Sequence, residues 1–414
     1  MRRMARRSPS SSFAGTPSGV LGRLTPAARF SAYAALGLGS LWFGFPLLWM
    51  VATSLSPVEQ TLSFPPRLLP LSQHALLDGE RREVTLDERV REPSVLLEEV
   101  GGPRAGLRTL VPERSFDERD ASRRRVASAL PGDWLVSERS ASSKSQQRNP
   151  RRGIAAPSSI ETEVQPRWEN YPKAFAALAG KSMEEIEGFV GGTAPLSSDA
   201  EVSFFTFFVN TLIVCVLGVI GTVLSNALVA YGFARLAWRG REAFFALTLA
   251  TLMIPYPVLM VPLFSIFQAL GWVGTLLPLW VPAFFGSAFN IFLMRQFFRT
   301  LPLELSEAAR LDGASEFRIF WQLILPLSRP VLAVAALFHF LYAWNDFLGP
   351  LLYLTRRHTF TLSLALQSYQ TTHGGVQWHF LMAASTVIVL PVLLVFFFAQ
   401  KTFVQGIATT GSKG

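Results

Sequence analysis

The chain has 414 residues, of which 50% are hydrophobic, 12% are aromatic and only 16% are charged. Soluble globular domains carry about 25% charged residues, so this composition is atypical of a soluble enzyme, and the high apolar content excludes a wholly disordered chain. The single cysteine, Cys215, excludes an intrachain disulfide scaffold and a zinc site built from thiolates. The net charge of +9 is compatible with nucleic acid, an anionic surface or membrane topology.

Six long apolar stretches predict an all-α polytopic membrane protein. The stretches cover residues 30–54, 204–233, 243–270, 276–298, 330–354 and 380–402. Each approaches or exceeds the roughly 20 residues that cross a bilayer core at about 1.5 Å per residue. A soluble domain seldom contains even one such stretch, so we expect six transmembrane helices.

The first stretch has a second interpretation as a cleaved signal peptide, because arginines in segment 1–29 precede it. Its apolar run is longer than a signal core, and no convincing A-x-A cleavage site follows it. We therefore expect a retained first span.

Basic residues gather on one side of the predicted membrane. Segment 1–29 carries six arginines and no acid, and more basic residues, among them Arg235 and Arg295, lie at or after the ends of the second, fourth and sixth spans. The positive-inside rule identifies their side as the cytoplasm, although Arg356 and Arg357 fall on the opposite side. We expect both termini to be cytoplasmic, including the tail 403–414, together with the loop 299–329.

The outer segment 55–203 contains a highly charged insert at about 74–169, with 17 basic and 17 acidic residues. Alternating apolar residues predict a few short strands there. Its arginine clusters resemble nucleic-acid-binding runs, but the neutral balance and the outer location argue against nucleic acid. We expect a solvated extracytoplasmic lobe. The net charge then comes from the other 21 basic and 12 acidic residues, so it is mainly a topology signal.

Residues 299–329 predict two short helices joined by a turn, which we call the coupling loop. Gly313 suits the end of the first helix, Ser315 can cap the second, and Pro326 is expected to end it. The second helix is expected to present one apolar face, formed by Phe317, Phe320, Trp321 and Ile324. The residues alone leave two alternatives open: a connector packed on the protein's own spans, or a docking surface for another chain.

The spacing within this loop resembles the EAA motif of permease subunits in bacterial ABC importers. The matching residues are Glu307, Ala308, Ala309, Gly313, Leu323, Leu325 and Pro326, with leucine at 323 where the consensus has isoleucine. Further segments resemble carbohydrate-uptake permeases related to the second membrane subunit of the maltose importer: FFVNTLIV at 207–214, AYGFARL at 230–236, AWNDFLGPLLYL at 343–354 and the segment 396–414. The insert lies outside the family pattern.

The resemblance implies a six-helix type I importer permease, which is not an enzyme and binds no cofactor itself. The implied partners are a second homologous permease, two ATP-binding subunits that carry ATP and Mg²⁺, an extracytoplasmic solute-binding protein and the lipid bilayer of a bacterial inner membrane. The implied ATPase-coupling residues are Glu307, Ala308, Ala309, Arg310, Asp312, Gly313 and Pro326. Arg310 and Asp312 have a second interpretation as a solvated helix face.

Polar residues within the spans are candidates for the substrate pathway, because intramembrane polar groups usually face a cavity or a partner. The candidates are Tyr342, Asn345, Asp346, Asn210 and Asn290. Asp346 has a second interpretation as a helix-end acid, and Asn210 and Asn290 have one as interhelical hydrogen-bonding residues. We expect His339 to be an interhelical residue and the prolines of the third span to kink it. No His/Glu spacing in the sequence suggests a metal site.

Other functions stay open as alternatives. An ATPase-independent transporter or channel would be expected to show internal repeats or several mid-membrane charges. An ABC importer could instead carry glycerol phosphate, polyamine or peptide. A membrane-anchored interaction protein would leave the EAA-like loop unexplained.

Overall fold

The structure is a computed structural model that describes residues 25–61, 67–100, 105–116, 122–139, 151–178, 202–367, 369 and 377–410, the last ten by their backbone alone. The predicted N-terminal tail 1–29 and the C-terminal tail 403–414 lie largely or partly outside these residues. The chain divides into two compact units between Met50 and Val51.

The first predicted span is one helix, α1, at Pro26–Ser54. Its 29 residues give a length of about 43 Å, enough to cross a bilayer with some tilt. Pro46 lies inside the helix, a position that is tolerated more readily in membrane helices than in soluble ones. A short helix, α2, follows at Val58–Thr61.

The insert is a β-structure, as its alternating apolar residues predict, so the all-α fold class applies only outside this part of the chain. The described residues contain eight strands: β1 Leu71–Leu77, β2 Glu80–Arg89, β3 Ser94–Glu99, β4 Arg108–Pro112, β5 Arg123–Ala129, β6 Trp134–Glu138, β7 Arg152–Ala155 and β8 Glu161–Val164. They form a five-stranded sheet in the order β7-β6-β2-β1-β8 and a three-stranded sheet in the order β4-β3-β5, and every pairing is antiparallel. Successive side chains of these strands point to opposite faces of the sheet, and the apolar ones form a small core on one face of the larger sheet.

Hydrogen bonds and an ion pair attach the insert at its base. The side-chain amide of Asn170 donates to the backbone oxygens of Ser54 at 2.8 Å and Ser56 at 3.1 Å. Arg167 forms an ion pair with Glu83 of β2 and donates to Ser72. The helix α3, at Asn170–Leu178, starts at this attachment point.

The central element is α4, a 32-residue helix at Phe204–Arg235. Ser203 and Thr206 form a capping box at its start. Two separate apolar cores lie against its two ends. We name them by the topology that the sequence predicts. The outer core, at the start of α4, includes Phe207, Trp344 and Phe380, and the inner core, at its end, includes Tyr231, Phe298 and Phe320.

Eleven further helices follow α4 within the described residues. They are α5 Arg241–Ala250, α6 Tyr256–Ala269, α7 Leu277–Trp280, α8 Ala288–Thr300, α9 Leu303–Leu311, α10 Glu316–Ile319, α11 Leu325–Leu327, α12 Arg329–Asn345, α13 Leu348–Tyr353, α14 Leu362–Leu366 and α15 Trp378–Thr410. By length and apolar composition, the described part of the chain holds four helices that could each cross a membrane, or up to six if each bent pair is one span.

The third apolar stretch is broken rather than straight. The segments 241–253 and 256–269 meet at an angle of 99°. Pro255 occupies the turn with ψ of 137°, and a proline at the start of α6 cannot extend the preceding helix. The predicted proline kink is therefore confirmed, and it is larger than a simple bend.

Candidate functional site

The first helix of the coupling loop, α9, ends at a left-handed glycine. Gly313 has φ of +78°, and the N–H of Ala314 donates to the carbonyl oxygen of Ala309 at 2.9 Å. This closure requires a positive φ, which glycine adopts without steric penalty. A Cβ at this position would meet no atom within 4 Å, so the conformation rather than local crowding requires glycine in this chain.

The EAA residues lie on the surface. Glu307, Ala308 and Gly313 are exposed, Ala309 is half-buried, and the following Leu311 is 89% exposed. A leucine so exposed beside small residues offers an apolar contact to another molecule. The geometry therefore makes the predicted coupling residues accessible to a partner.

The second helix of the loop does not present the predicted single apolar face. Ser315 caps α10 by accepting from the N–H of Arg318, but the chain then forms a π-turn at Phe320–Ile324 before α11. The wider π-turn changes the angular spacing of the side chains. Phe320 and Ile324 are buried in the inner core, whereas Phe317 and Trp321 are exposed and stack at 6.3 Å.

Pro326 lies within α11 rather than at its end. The helix ends one residue later, at Leu327. The segments 316–327 and 329–345 meet at an angle of 79°.

A carboxylate joins the two helices of the loop to α4. Glu316 Oε1 accepts from Arg310 Nε at 2.7 Å, and Glu316 Oε2 accepts from the Tyr231 hydroxyl at 2.6 Å. Hydrogen bonds from Arg310 and Tyr231 lower the pKa of the Glu316 carboxyl, so it is ionised at neutral pH. Sequence reasoning missed Tyr231 and Glu316, and it left Arg310 between coupling and a solvated face.

Two arginines that were predicted only as topology charges are buried at the same end of the protein. Arg235 Nη2 donates to the carbonyl oxygens of Phe298 and Leu301, each at 2.7 Å, and thereby satisfies the end of α8. Arg295 is 3% exposed, donates to Phe233 and pairs with Glu242 at 2.9 Å. These arginines hold the end of α8 and the start of the coupling loop against α4, in addition to any effect on topology.

The fourth apolar stretch is irregular between α7 and α8, and polar groups of α4 support this break. The Ser225 hydroxyl donates to the carbonyl oxygen of Ala283, and Asn226 Oδ1 accepts from the N–H of Ser287. Gly221 lies under the Phe284 ring, where a Cβ would come within 2.5 Å of a ring carbon. Irregular backbone at membrane depth is tolerated where protein groups satisfy it or where it lines a cavity.

A cavity of about 380 Å³ opens beside this break. Its polar lining residues are Thr222, Ser287, Asn290, His339 and Tyr342. Tyr342 is 63% exposed, whereas Asn290 is 8% exposed and donates to Ser287 Oγ at 2.9 Å. Two of the five predicted pathway residues thus line one cavity, although Asn290 Oδ1 is buried without a hydrogen-bond partner.

The ring of His339 bridges two helices, as predicted. His339 Nδ1 lies 2.9 Å from the Thr222 hydroxyl. A Cβ added to Gly218 would lie only 2.4 Å from His339 Nε2. Glycine at 218 therefore allows α12 to approach α4 closely at this ring.

The other three pathway candidates make structural hydrogen bonds. Asn210 donates to the carbonyl oxygens of His358 and Phe360, and Asn345 donates to Leu341 one turn earlier. Asp346 Oδ1 accepts from the N–H of Gly349 at 3.1 Å and so caps α13. Their contact with substrate stays a prediction.

Across the residues that the structure describes, no three His, Cys, Asp or Glu side chains cluster as metal ligands would. The site can offer hydroxyl and amide hydrogen bonds in its cavity and an exposed protein-docking surface on its loop.

Long apolar helices around a polar cavity, with an exposed helical loop at one end, define the membrane subunit of a transporter. Residues 226–409 match the family model described as binding-protein-dependent transport system inner membrane component. The chain belongs to this family of ABC importer permeases, and it is a transport subunit rather than an enzyme.

Several relatives are similar to this chain over about half of its length. The arabinooligosaccharides transport system permease protein AraQ of Halalkalibacterium halodurans is 36% identical over 211 residues, which are 51% of this chain and 75% of that protein. The trehalose/maltose transport system permease protein MalG of Thermococcus litoralis is 30% identical over 236 residues, 57% of this chain and 85% of that protein. The sn-glycerol-3-phosphate transport system permease protein UgpE of Pectobacterium atrosepticum is 35% identical over 205 residues, 49% of this chain and 73% of that protein.

A solved structure shares the fold. A chain of a bacterial ABC transporter that imports the acidic polysaccharide alginate aligns with a TM-score of 0.55 and 17% identity, covering 91% of this chain and 98% of that chain. The family and the fold together confirm the predicted resemblance.

Proposed function

We propose that this permease imports a sugar or oligosaccharide. The observation that carries this proposal is the similarity to permeases of arabinooligosaccharide and trehalose/maltose systems at 36% and 30% identity. The cavity chemistry agrees, because its polar lining consists of hydroxyl, amide and imidazole groups and includes no Lys or Arg. Such neutral groups suit the hydroxyls of a carbohydrate.

Glycerol phosphate is the second candidate cargo, supported by the similarity to the sn-glycerol-3-phosphate permease. A phosphate group is usually bound by cations or by clustered N–H donors. The lack of Lys and Arg around the described cavity therefore favours the neutral cargo.

The proposed topology has six spans in the bacterial inner membrane, with both termini in the cytoplasm. This count takes 241–269 as one bent span and begins the fifth span at Arg329, after the 79° bend, so that 316–327 stays in the coupling loop. The β-insert then lies outside the cytoplasm between the first two spans, and the coupling loop lies inside. The arginines that flank the loop support this orientation.

The proposed partners are a second homologous permease, two ATP-binding subunits carrying ATP and Mg²⁺, and an extracytoplasmic binding protein. We assign Glu307, Ala308, Ala309 and Gly313 to docking on an ATP-binding subunit, because all four reach the surface of α9 and its closing turn. Arg310, Asp312 and Pro326 are exposed as well, and Arg310 also pairs with Glu316.

The proposed substrate pathway passes the cavity beside the fourth-span break. Tyr342 and Asn290 line it, so they are the pathway residues that the geometry supports best. Substrate would cross as partner movement opens this cavity alternately to each side, a rigid-body switch that needs different contacts in the two states.

Two measurements test the cargo. A thermal-shift screen of the extracytoplasmic binding protein that serves this permease should show protection by an oligosaccharide and none by glycerol 3-phosphate. Deletion of this gene should then abolish cellular uptake of the same labelled sugar. Protection by glycerol 3-phosphate alone would replace the carbohydrate assignment with the second candidate.

A further inference from the structure

Two side chains of α4 hold the chain on either side of the first helix of the coupling loop, α9. Tyr231 donates to Glu316 at the start of the second loop helix, and Arg235 donates to Phe298 and Leu301 before the first. Residues four apart lie on the same helix face. Tyr231 and Arg235 are 3% and 8% exposed, whereas the Glu316 side chain is 43% exposed, so the Tyr231 bond runs from the packed interior to the edge of the loop.

The same helix holds the cavity. Thr222 of α4 contacts His339, and Ser225 and Asn226 hold the fourth-span break. Thr222 lies nine residues before Tyr231, which is about 14 Å along a helix. No break interrupts α4 between Phe204 and Arg235, so a displacement of its inner end is carried to the cavity lining.

We propose that α4 is the strut that couples the docking loop to the cavity, and that Tyr231, Glu316 and Arg310 form its link to the loop. The proposal rests on the function proposed above, in which α9 docks on an ATP-binding subunit. Arg310 belongs to α9, Glu316 follows the Gly313 turn, and Tyr231 belongs to the strut, so a single carboxylate joins all three parts. Tyr231, Glu316 and Arg310 are positioning residues, because they act through the helix and touch no substrate.

The polar link has a role that the surrounding apolar core cannot take over. The Tyr231 ring also packs on Phe320 at 5.3 Å, within the inner core. Apolar contacts are non-directional and tolerate sliding, whereas hydrogen bonds to a carboxylate fix distance and direction. Removal of the Tyr231 hydroxyl should therefore leave the loop packed but allow it to move without moving α4.

The test measures nucleotide-driven change at the cavity. Cys215 is the only cysteine and is buried, so Cys215→Ser provides a background for labelling. Phe289→Cys places a thiol at the cavity, where Phe289 is 48% exposed. The rate of alkylation by a charged maleimide is measured with and without ATP plus vanadate. The membranes come from cells that co-express the genes of the proposed partner permease, ATP-binding subunits and binding protein.

Tyr231→Phe should reduce the nucleotide-dependent change in alkylation rate by at least about threefold, because one hydrogen bond to a charged group is lost. ATP hydrolysis by the same membranes should persist, since docking residues are unchanged. The matched control is Tyr171→Phe, which removes a hydroxyl that lies 2.9 Å from Ser54 Oγ outside the proposed strut. This control should respond to nucleotide like the unsubstituted chain. Glu316→Gln, at a half-buried position, serves as a second variant that keeps the side-chain shape.

The outcomes separate the two proposals. If Tyr231→Phe and Glu316→Gln respond to nucleotide like the control, the strut is wrong while coupling to an ATPase stands. If the chain with intact Tyr231 shows no nucleotide response and its membranes no associated ATP hydrolysis, the proposed function fails, and the strut fails with it.

Discussion

Asn226 Oδ1 accepts a hydrogen bond from the backbone N–H of Ser287 at 2.6 Å. Asn226 is fully buried in α4, and Ser287 directly follows Gly286, whose φ is +84°. The bond therefore satisfies a backbone donor at a point where the fourth span is not helical. A buried amide thus permits an irregular segment to line a cavity at membrane depth.

Asn226→Leu should destabilise the protein by about 1–3 kcal/mol, because the Ser287 N–H would lose its partner while the volume stays similar. Thermal unfolding of the purified chain in detergent measures this change. Thr248→Val is a matched control, since the Thr248 hydroxyl donates only to Phe244 of its own exposed helix. Equal stability of Asn226→Leu and the control would show that Ser287 finds another acceptor.

Gly313→Asp should abolish transport, to below about a tenth of the normal rate, while the protein still reaches the membrane. The aspartate side chain would project from the docking surface, and a non-glycine residue at φ of +78° is strained by about 1 kcal/mol or more. Uptake of the identified cargo and the amount of chain in isolated membranes are the measurements.

The variant Gly271→Asp is the control that introduces the same backbone strain without altering the docking surface. Gly271 has φ of +70° and open space around its Cβ position, but it lies outside the coupling loop. We expect this variant to transport at close to the normal rate. Loss of transport in both variants to the same degree would attribute the Gly313 effect to strain rather than docking.

Local signals in the sequence predicted the local structure well. Apolar length predicted four stretches that are single helices long enough to cross a membrane. Glycine and serine preferences predicted the turn at Gly313 and the cap at Ser315, because these features depend on neighbouring residues only. The π-turn at 320–324 split the expected apolar face, since it depends on how Phe320 and Ile324 fit the inner core. No local pattern marks such an insertion.

Contacts between residues far apart in the sequence could not be predicted either, because no local pattern marks them. Tyr231 and Glu316 are separated by 85 positions, and one sequence contains no signal that joins them. Arg235 and Arg295 were counted as topology charges, because composition cannot distinguish an arginine that faces a membrane surface from one that satisfies buried carbonyl oxygens. The candidate site was therefore predicted at its exposed loop and missed at its internal links.

Asp346→Asn should leave stability within about 0.5 kcal/mol and transport within about twofold of normal, because an amide oxygen can still cap α13. Asp346→Ala should lower stability by about 0.5–2 kcal/mol, since the Gly349 N–H loses its acceptor. Thermal unfolding and cargo uptake of both variants are compared. A severe transport defect in Asp346→Asn with normal stability would instead assign the charge itself to the pathway.

Acidification should loosen the insert through Glu83. Burial raises the pKa of this carboxyl, but the hydrogen bond from Arg167 and the charge of Arg139 lower it more, so its pKa in the folded chain lies below the ordinary 4.5. A lowered pKa in the folded state means that the stabilisation is complete above pH 4.5 and is lost as pH falls through the folded value. Glu83→Gln should therefore expose strands β1 and β2 to faster hydrogen exchange at pH 7 and respond less to acid. Glu163→Gln, an exposed acid on the same sheet, should match the unsubstituted chain at each pH. An equal acid response in Glu83→Gln and Glu163→Gln would exclude Glu83 as the titrating anchor.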